Sequence, residues 1–474
     1  MKLKYILPIL LSLLSAACFE DDTTLDTRSI AVISIDTTKL QKEYNIDKNE
    51  ICLISPDITQ TNTALPLTYE WQVNYKFYSD SSTFKYIGKD LGSYKVRLKT
   101  SNADGSAFYT FDMHVNSPYE EGIAVLSSDQ DGSMQLSFMR KFSAKELAAG
   151  AIEKFETHCL KTNNPDYQFA KYPTDIAKRL SQLFISCKEQ PTIYAINTKT
   201  FELENAISAP EFPDFVPIKM QIPDNSAQSA LIYSENGSVY NLASVEGLIL
   251  AHTMLTSKYG PIRLENFAGY NPVYYLWNTD LHSPCYFDGQ NLKDLSKEKT
   301  FENHEPIAMF TNTIKDCFTV ISHLNDVIYK TTVGNNFYNN VYDDDWNIIE
   351  ILYDLREQKA LIGSTVLTSE TPYVSSPQYK ELLYAQGNKI YRWYFSDNSF
   401  PTTPWATIDL PGAEITTLAL SPNEEELYVG VYQPNVSGLN GHIYILNSDT
   451  GSPVHGSPYL NVAYKPIEAM YKVK

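Results

Sequence analysis

The feature that most constrains the fold is a strand–turn–strand unit that recurs along most of the chain. A short apolar run is followed by a turn and a second strand-like run, seven times over. The units begin at residues 123, 183, 230, 273, 317, 382 and 427, so successive starts differ by 60, 47, 43, 44, 65 and 45 residues. Strand pairs with a period in the forties are typical of a β-propeller, in which each blade covers its neighbours. Residues 118–474 are therefore predicted to form a seven-bladed β-propeller.

Tyrosines recur at the same place in the second strand of five units, and we expect them to pack between blades rather than contact a ligand. They are Tyr194, Tyr240, Tyr329, Tyr391 and Tyr444. The two long spacings are interpreted as insertions, with helices at 144–149 and 174–183 and a loop over 337–354. The run 463–473 is expected to complete a blade and close the ring, because an open ring leaves an exposed strand edge.

The C-terminal repeats also resemble a known propeller repeat. Residues 418–422 read Leu-Ala-Leu-Ser-Pro, residues 427–429 read Leu-Tyr-Val, and residues 443–451 read Ile-Tyr-Ile-Leu-Asn-Ser-Asp-Thr-Gly. Quinone-binding and NHL-like propellers share repeats of this type. The resemblance supports the fold and implies no particular chemistry.

Residues 30–117 predict a small immunoglobulin-like β-sandwich. Five strand-like runs are separated by turn sequences such as Asn-Ala-Asp-Gly at 102–105, as in sandwiches of this type. Trp71 is expected to fill the core, since indole rings dominate small cores. Residues 69–71 (Tyr-Glu-Trp), 92–96 (Gly-Ser-Tyr-Lys-Val) and 104–105 (Asp-Gly) resemble a polycystic-kidney-disease-type (PKD-like) domain, which implies the same core role for the Trp.

Residues 1–17 are typical of an export signal, with Lys2 and Lys4, an apolar stretch and small residues before Cys18. The run Ser-Ala-Ala-Cys at 15–18 resembles the lipobox of bacterial lipoproteins, whose Cys carries acyl chains. Residues 18–29 predict a flexible acidic tether, and its acidic start resembles the surface-export signal of Bacteroidota lipoproteins. We therefore predict lipidation at Cys18 and attachment to the outer-membrane bilayer, facing the cell exterior. The alternative is a secretory signal without lipid.

The order of these segments resembles the PKD-like family lipoproteins of Bacteroidota. The lipobox is followed by the PKD-like domain and then by Glu-Glu-Gly-Ile-Ala-Val-Leu-Ser, at residues 120–127, which opens the repeats. Members of that family accompany Sus-type outer-membrane nutrient-uptake systems. The resemblance therefore implies such a complex as a partner.

The charge and cysteine content argue against nucleic-acid binding, a disulfide framework and a zinc site. The chain has 38 Lys and Arg against 56 Asp and Glu, a net charge of −18, and nucleic-acid binding needs a basic footprint that is missing here. Five cysteines remain besides Cys18, none at Cys-x-x-Cys spacing. A disulfide framework and a zinc site are therefore not expected.

Catalytic motifs are missing from the sequence. It contains no Gly-x-Ser-x-Gly, no P-loop and no Gly-x-Gly-x-x-Gly, and the His304-Glu305 pair has Ala308 where a metalloprotease has its second His. A propeller can still assemble a site from distant loops. We therefore predict no catalytic residue and lean against an enzyme without excluding one.

One stretch is a candidate ligand site, because it sets carboxylates between aromatic rings. Rings stack on sugars, and carboxylates accept hydrogen bonds from hydroxyl groups. The residues are Tyr338, Tyr342, Asp343, Asp344, Asp345 and Trp346. Three adjacent acids also offer the oxygen ligands that Ca²⁺ takes, so Ca²⁺ is the one cofactor left open. The alternative is a solvated acidic turn in which Trp346 closes a blade.

Three functions remain open. The leading hypothesis is a surface lipoprotein that binds a nutrient, either glycan or peptide, or a partner protein for an uptake complex. A tethered rigid body raises the local concentration of what it captures. The second hypothesis is a propeller hydrolase or lyase acting on glycan or peptide. The third is a scaffold for other lipoproteins.

Overall fold

Both parts of the molecule are built almost entirely from β-strands. The computed structural model describes residues 29–222, 230–243, 249–252, 258–263, 274–287, 292–294, 299–312, 317–334, 341–346, 348–350, 354–363, 367–454 and 456–474. Contacts divide the chain into two units, Met1–Asn116 and Ser117–Lys474. No helix in the described part is long and apolar enough to cross a membrane. Cys18 and the predicted signal and tether up to residue 28 lie outside the described residues.

The N-terminal unit contains nine strands in the described residues. They are β1 (Ile33–Asp36), β2 (Glu43–Asp47), β3 (Ile51–Ile54), β4 (Asp57–Gln60), β5 (Thr68–Val73), β6 (Lys76–Ser79), β7 (Phe84–Ile87), β8 (Gly92–Asn102) and β9 (Gly105–Asn116). One five-stranded sheet has the order β2-β9-β8-β5-β6, and the pairs β1-β4 and β3-β7 form two short sheets.

The core of this unit lies between the five-stranded sheet and the short pairs. Side chains alternate along β8 and β9, so every second residue faces inward. Trp71 is fully buried, packs at 4.9 Å between ring centroids on Phe84 of β7, and donates its indole N–H to the Ser81 carbonyl at 2.9 Å. The core role predicted for Trp71 is confirmed. Membership in the PKD-like family stays a prediction.

The second unit contains thirty strands and two short helices in the described residues. The helices are α1 (Ala144–Ala148) and α2 (Cys159–Asn163). The strands are β10 (Gly122–Ser128), β11 (Met134–Arg140), β12 (Phe155–Glu156), β13 (Pro173–Arg179), β14 (Gln182–Cys187), β15 (Thr192–Asn197), β16 (Leu203–Ser208), β17 (Pro217–Gln221), β18 (Ala230–Ser234), β19 (Val239–Ala243), β20 (Ile249–His252), β21 (Tyr259–Arg263), β22 (Tyr274–Asn278), β23 (Ser283–Phe287), β24 (Leu292–Asp294), β25 (Glu305–Thr311), β26 (Cys317–Leu324), β27 (Val327–Gly334), β28 (Val341–Tyr342), β29 (Ile348–Glu350), β30 (Asp354–Ala360), β31 (Tyr373–Ser376), β32 (Glu381–Gln386), β33 (Lys389–Tyr394), β34 (Ala406–Thr407), β35 (Glu414–Leu420), β36 (Glu426–Tyr432), β37 (Gly441–Asn447), β38 (Tyr459–Ala463) and β39 (Lys465–Lys472).

Twenty-eight of these strands form seven antiparallel four-stranded sheets, within the residues described. Sheets 1 to 7 have the orders β39-β10-β11-β12, β13 to β16, β17 to β20, β21 to β24, β25-β26-β27-β30, β31 to β34 and β35 to β38. The first strands of neighbouring sheets contact one another, β39 with β13, β13 with β17 and β35 with β39 among them. They are therefore the innermost strands of a ring, which is the propeller arrangement.

Apolar clusters between successive sheets hold the ring together. Leu126 and Phe138 of sheet 1 pack with Ile185 of sheet 2. Clusters of the same kind lie between sheets 2 and 3, 3 and 4, 5 and 6, and 6 and 7. Four of the five recurring tyrosines lie in these clusters, namely Tyr194, Tyr240, Tyr391 and Tyr444. The predicted packing role is confirmed for these four.

Sheet 1 joins residues from opposite ends of the unit. β39 pairs with β10 antiparallel at seven positions, from Gly122 opposite Lys472 to Ser128 opposite Lys465. Sheet 7 then packs on sheet 1 through a cluster that includes Tyr428, Ile443 and Ala469. The predicted ring closure by the run 463–473 is confirmed.

One of the two predicted helices is wrong. Residues 174–183 form most of β13 and the start of β14, with Leu180 in the turn between them at φ 51°. The Thr174 hydroxyl lies 2.7 Å from Ser186 Oγ and so bonds across the sheet instead of capping a helix. The predicted helix at 144–149 is present as α1, where Ser143 and Glu146 form a capping box.

Candidate functional site

The predicted ligand residues lie on an insertion in sheet 5, between β27 and β30. Strands β28 and β29 pair there, with Tyr342 opposite Ile348. Asp343 to Trp346 form the turn that joins them. Tyr338 lies outside the described residues. The structure therefore places the backbone of Tyr342 and all of Asp343, Asp344, Asp345 and Trp346 on one small β-hairpin, the tip hairpin.

The turn of the tip hairpin is held by hydrogen bonds to Asp343. Asp343 accepts the Asp345 N–H on its carboxylate at 3.0 Å and the Trp346 N–H on its carbonyl oxygen at 3.1 Å. Trp346 has φ 63°, and its side chain is 80 % exposed. The alternative fits in part: Asp343 to Asp345 form a solvated acidic turn, whereas the exposure of Trp346 does not fit an indole that closes a blade.

The chemistry available at the tip is stacking beside negative charge. Asp343, Asp344 and Asp345 are all exposed next to the exposed indole. In the described part of the chain, no three acidic, His or Cys side chains form a group that could hold a metal ion. Binding of Ca²⁺ at the three acids stays a prediction.

A second charged feature, which the sequence analysis missed, joins the innermost strands of three sheets. Lys219 Nζ lies 3.1 Å from Glu468 Oε2 and 3.6 Å from Asp175 Oδ1. Asp175 is fully buried and also accepts the Met220 N–H at 2.6 Å. A buried carboxylate needs such partners to remain charged. This axial cluster therefore connects sheets 1, 2 and 3 near the ring axis.

A short repeat in the sequence marks the axial cluster. Asp175, Lys219 and Glu468 each stand two places after a Pro at the start of an innermost strand. The same Pro opens the corresponding segment in six sheets, at Pro173, Pro217, Pro261, Pro306, Pro372 and Pro466. The strand register shifts just after Pro173, Pro217 and Pro306. Bulges re-aim side chains, so this repeat was the signal that could have revealed the cluster.

A third charged group lies buried between sheets 6 and 7. Glu381 Oε2 is 3.2 Å from Arg392 Nε, and the guanidinium lies 4.2 Å from the Trp405 ring centroid. Burial raises the pKa of Glu381 to about 7, and Arg392 opposes that rise. A carboxyl group with this pKa suits general acid catalysis, but Glu381 is only 2 % exposed. Glu381 is therefore placed to hold Arg392 in position rather than to contact a substrate.

Two histidines are buried in the propeller and have a lowered pKa in the folded state. His304 Nδ1 lies 2.8 Å from Ser322 Oγ, and His442 Nδ1 accepts the backbone N–H of Asn461 at 3.0 Å. Burial lowers the pKa of both imidazoles below the ordinary value of 6.5. Protonation is therefore disfavoured in the folded propeller.

We expect the free energy of unfolding to fall as the pH drops below about 6.5, because only the unfolded chain then protonates these histidines readily. Each lowered His contributes up to about 1.4 kcal/mol per pH unit to this loss. Thermal unfolding between about pH 7.5 and 5 measures the slope. His442→Gln keeps an acceptor for Asn461 and should flatten it; an identical slope in the variant would contradict the role of His442.

The fold defines the class of protein. It is a β-propeller of seven four-stranded sheets in the described residues, and it follows a separate all-β unit. No family model matches the chain, and no curated protein matches it.

The chain is similar to several solved structures at low identity. One is a quinoprotein alcohol dehydrogenase-like protein from Bacteroides thetaiotaomicron, 14% identical over 94% of this chain and 99% of that one, with a TM-score of 0.49. Another is the extracellular domain of a proposed one-component system from B. thetaiotaomicron, 11% identical over 76% of this chain and 46% of that one, with a TM-score of 0.38. The WD40 β-propeller domain of Doa1 is 11% identical over 69% and 93% of the two chains, with a TM-score of 0.40.

Proposed function

We propose that the protein is a cell-surface lipoprotein, attached to the outer membrane through an acylated Cys18, that binds a ligand for a nutrient-uptake system. The ligand is a glycan, a peptide or a partner protein, and the tip hairpin contacts it. The PKD-like identity of the N-terminal unit belongs to the same proposal, since it rests on the resemblance carried by residues 69–71, 92–96 and 104–105.

The exposed indole of Trp346 is the observation that carries this proposal. Leaving most of a large apolar side chain in water forgoes about 2 kcal/mol of burial free energy. Backbone groups and the Asp343 carboxylate supply two hydrogen bonds within the hairpin turn. An exposed ring beside three carboxylates gives a ligand both a stacking surface and hydrogen-bond acceptors.

The Trp346→Ala variant should bind the ligand roughly 30-fold more weakly, because truncating a Trp that makes the central contact commonly costs about 2 kcal/mol. A glycan array and an immobilised peptide library first identify the ligand of the wild-type protein. Titration calorimetry then compares wild-type and variant.

Ile362→Ala is the matched control. Ile362 lies two residues after β30, the last strand of the sheet that carries the tip hairpin, and is 71% exposed, so its loss should leave affinity unchanged. Equal affinity of Trp346→Ala and wild-type would remove the tip hairpin from the site. Cleavage of the bound glycan or peptide during the incubation would favour the hydrolase hypothesis instead.

A further inference from the structure

The five-stranded sheet of the N-terminal unit has one face turned away from the core. Register places Phe77, Gln72 and Arg97 in one row across β6, β5 and β8, and Glu70, Lys99 and Phe108 in the next row across β5, β8 and β9. We call these six residues, with Lys95 and Asp112 beside them, the outer face.

Two aromatic rings stand exposed on the outer face, where polar side chains are the rule. Phe77 is 67 % exposed and Phe108 is 55 % exposed. They lie on β6 and β9, three strand spacings or about 14 Å apart across the sheet, and one row or about 7 Å apart along the strands. Tyr75, in the turn before β6, adds a third ring that is 70 % exposed. Large apolar groups gathered in this way mark interaction surfaces more often than single exposed residues do.

A cation is held between the two phenylalanines. Arg97 donates from Nε to Gln72 Oε1 at 3.0 Å, and its guanidinium lies 5.4 Å from the Phe108 ring centroid. Within the described residues, the two terminal amino groups of Arg97 have no hydrogen-bond partner. They therefore present a fixed pair of donors, the arrangement that recognises a carboxylate.

The neighbouring charges are paired. Lys95 Nζ lies 2.7 Å from Asp112 Oδ1, and Lys99 Nζ lies 3.8 Å from Glu70 Oε2. Glu43 of β2 lies opposite Asp112 on the same side of the sheet, so the anions balance the three cations, and only Arg97 among the three is without a carboxylate partner in the described residues. Arg97 is thus the cation available to a ligand, and it stands in a chain whose net charge is −18.

We propose that the outer face binds an acidic glycan, with sugar rings stacked on Phe77 and Phe108 and a uronate carboxylate on the terminal amino groups of Arg97. The distance between the rings suits a short oligosaccharide lying across the strands. This site belongs to the N-terminal unit and is independent of the tip hairpin.

The pattern of charge favours a glycan over a membrane or a protein. Anionic membranes are bound by several unpaired basic residues, each contributing about 1 kcal/mol. Of the three basic residues on the outer face, Lys95 and Lys99 are paired with carboxylates. A standard protein interface covers about 800 Å² per partner around an apolar centre. The centre of this face is instead occupied by Arg97 and Gln72, flanked by rings.

Calorimetric titration of the purified protein with a galacturonate hexamer tests the proposal. We expect saturable binding that weakens at high salt. Phe77→Ala and Arg97→Gln should each weaken it at least tenfold, without changing the thermal unfolding midpoint. Leu53→Ala is the matched control, because Leu53 is 65 % exposed on β3, outside the five-stranded sheet, and it should bind as wild-type does.

A neutral hexamer of galactose separates the two contacts. Binding of this hexamer should be weaker and should depend on Phe77 but not on Arg97. Three results would each overturn the proposal. They are absence of uronate binding, an equal loss of uronate binding in Leu53→Ala, and binding only to poly-glutamate or to anionic phospholipid vesicles. Loss of uronate binding in Trp346→Ala would overturn it as well, since that result would assign the glycan to the tip hairpin.

Discussion

A chain that stops at Tyr464 will fail to form a folded propeller. The truncation removes β39, the innermost strand of sheet 1, and leaves the inner edge of β10 unpaired. It also removes Ala469 from the cluster between sheets 7 and 1, together with the hydrogen bond from the Tyr471 hydroxyl to Glu121 at 2.7 Å. Native domains are stable by only about 5–15 kcal/mol, and losing a whole inner strand exceeds that margin.

Soluble yield, circular dichroism and thermal unfolding measure this outcome. A chain that stops at Lys472 retains all of β39 and is the matched control, which should fold as the full chain does. A cooperative unfolding transition of the Tyr464 truncation at the temperature of the full chain would show that the ring does not depend on β39.

Replacing Gly441 by Ala should cost the propeller about 3 kcal/mol or more, the upper range for overpacking a well-filled interior. A Cβ atom at this position would lie 1.8 Å from the Tyr464 carbonyl oxygen. Tyr464 connects β38 to β39 and donates its backbone N–H to the Ser127 hydroxyl at 3.3 Å. Because the obstacle is backbone rather than a flexible side chain, β37 or the closing strands must shift.

Urea unfolding measures the loss in the free energy of unfolding of Gly441→Ala, and Gly260→Ala is the control. Gly260 lies in β21, and a Cβ atom there would meet nothing closer than Thr279 Cγ2 at 3.4 Å. Its replacement should change the free energy of unfolding by less than about 1 kcal/mol. Equal stability of the two variants would mean that the segment at Tyr464 adjusts freely.

The middle strands of each sheet were predictable because both of their faces are buried. β14 and β15 are apolar almost throughout, and all seven predicted hairpins correspond to the two middle strands of a sheet. The outermost strands are harder to recognise, since β16 is largely exposed. The innermost strand β13 carries Asp175, Lys178 and Arg179 among its apolar residues, so its sequence is compatible with a helix and was interpreted as one.

The candidate sites were predictable only in part. The run at 342–346 was singled out by residue type, but composition could not decide whether Trp346 faces solvent or a neighbouring blade. Only the structure shows that Trp346 is 80% exposed. On the outer face, Phe108 and Tyr109 are adjacent aromatic residues, and the strand pleat alone exposes one and buries the other.

Pairing β39 with β10 has a consequence for biosynthesis. β39 is translated after every other strand described here, so sheet 1 stays incomplete while the ribosome makes sheets 2 to 7. Pairing of strands so distant in the chain is slow, because a large loop must close first. We therefore expect a nascent or prematurely terminated polypeptide, whose β10 edge is open, to be degraded faster than one that extends through β39.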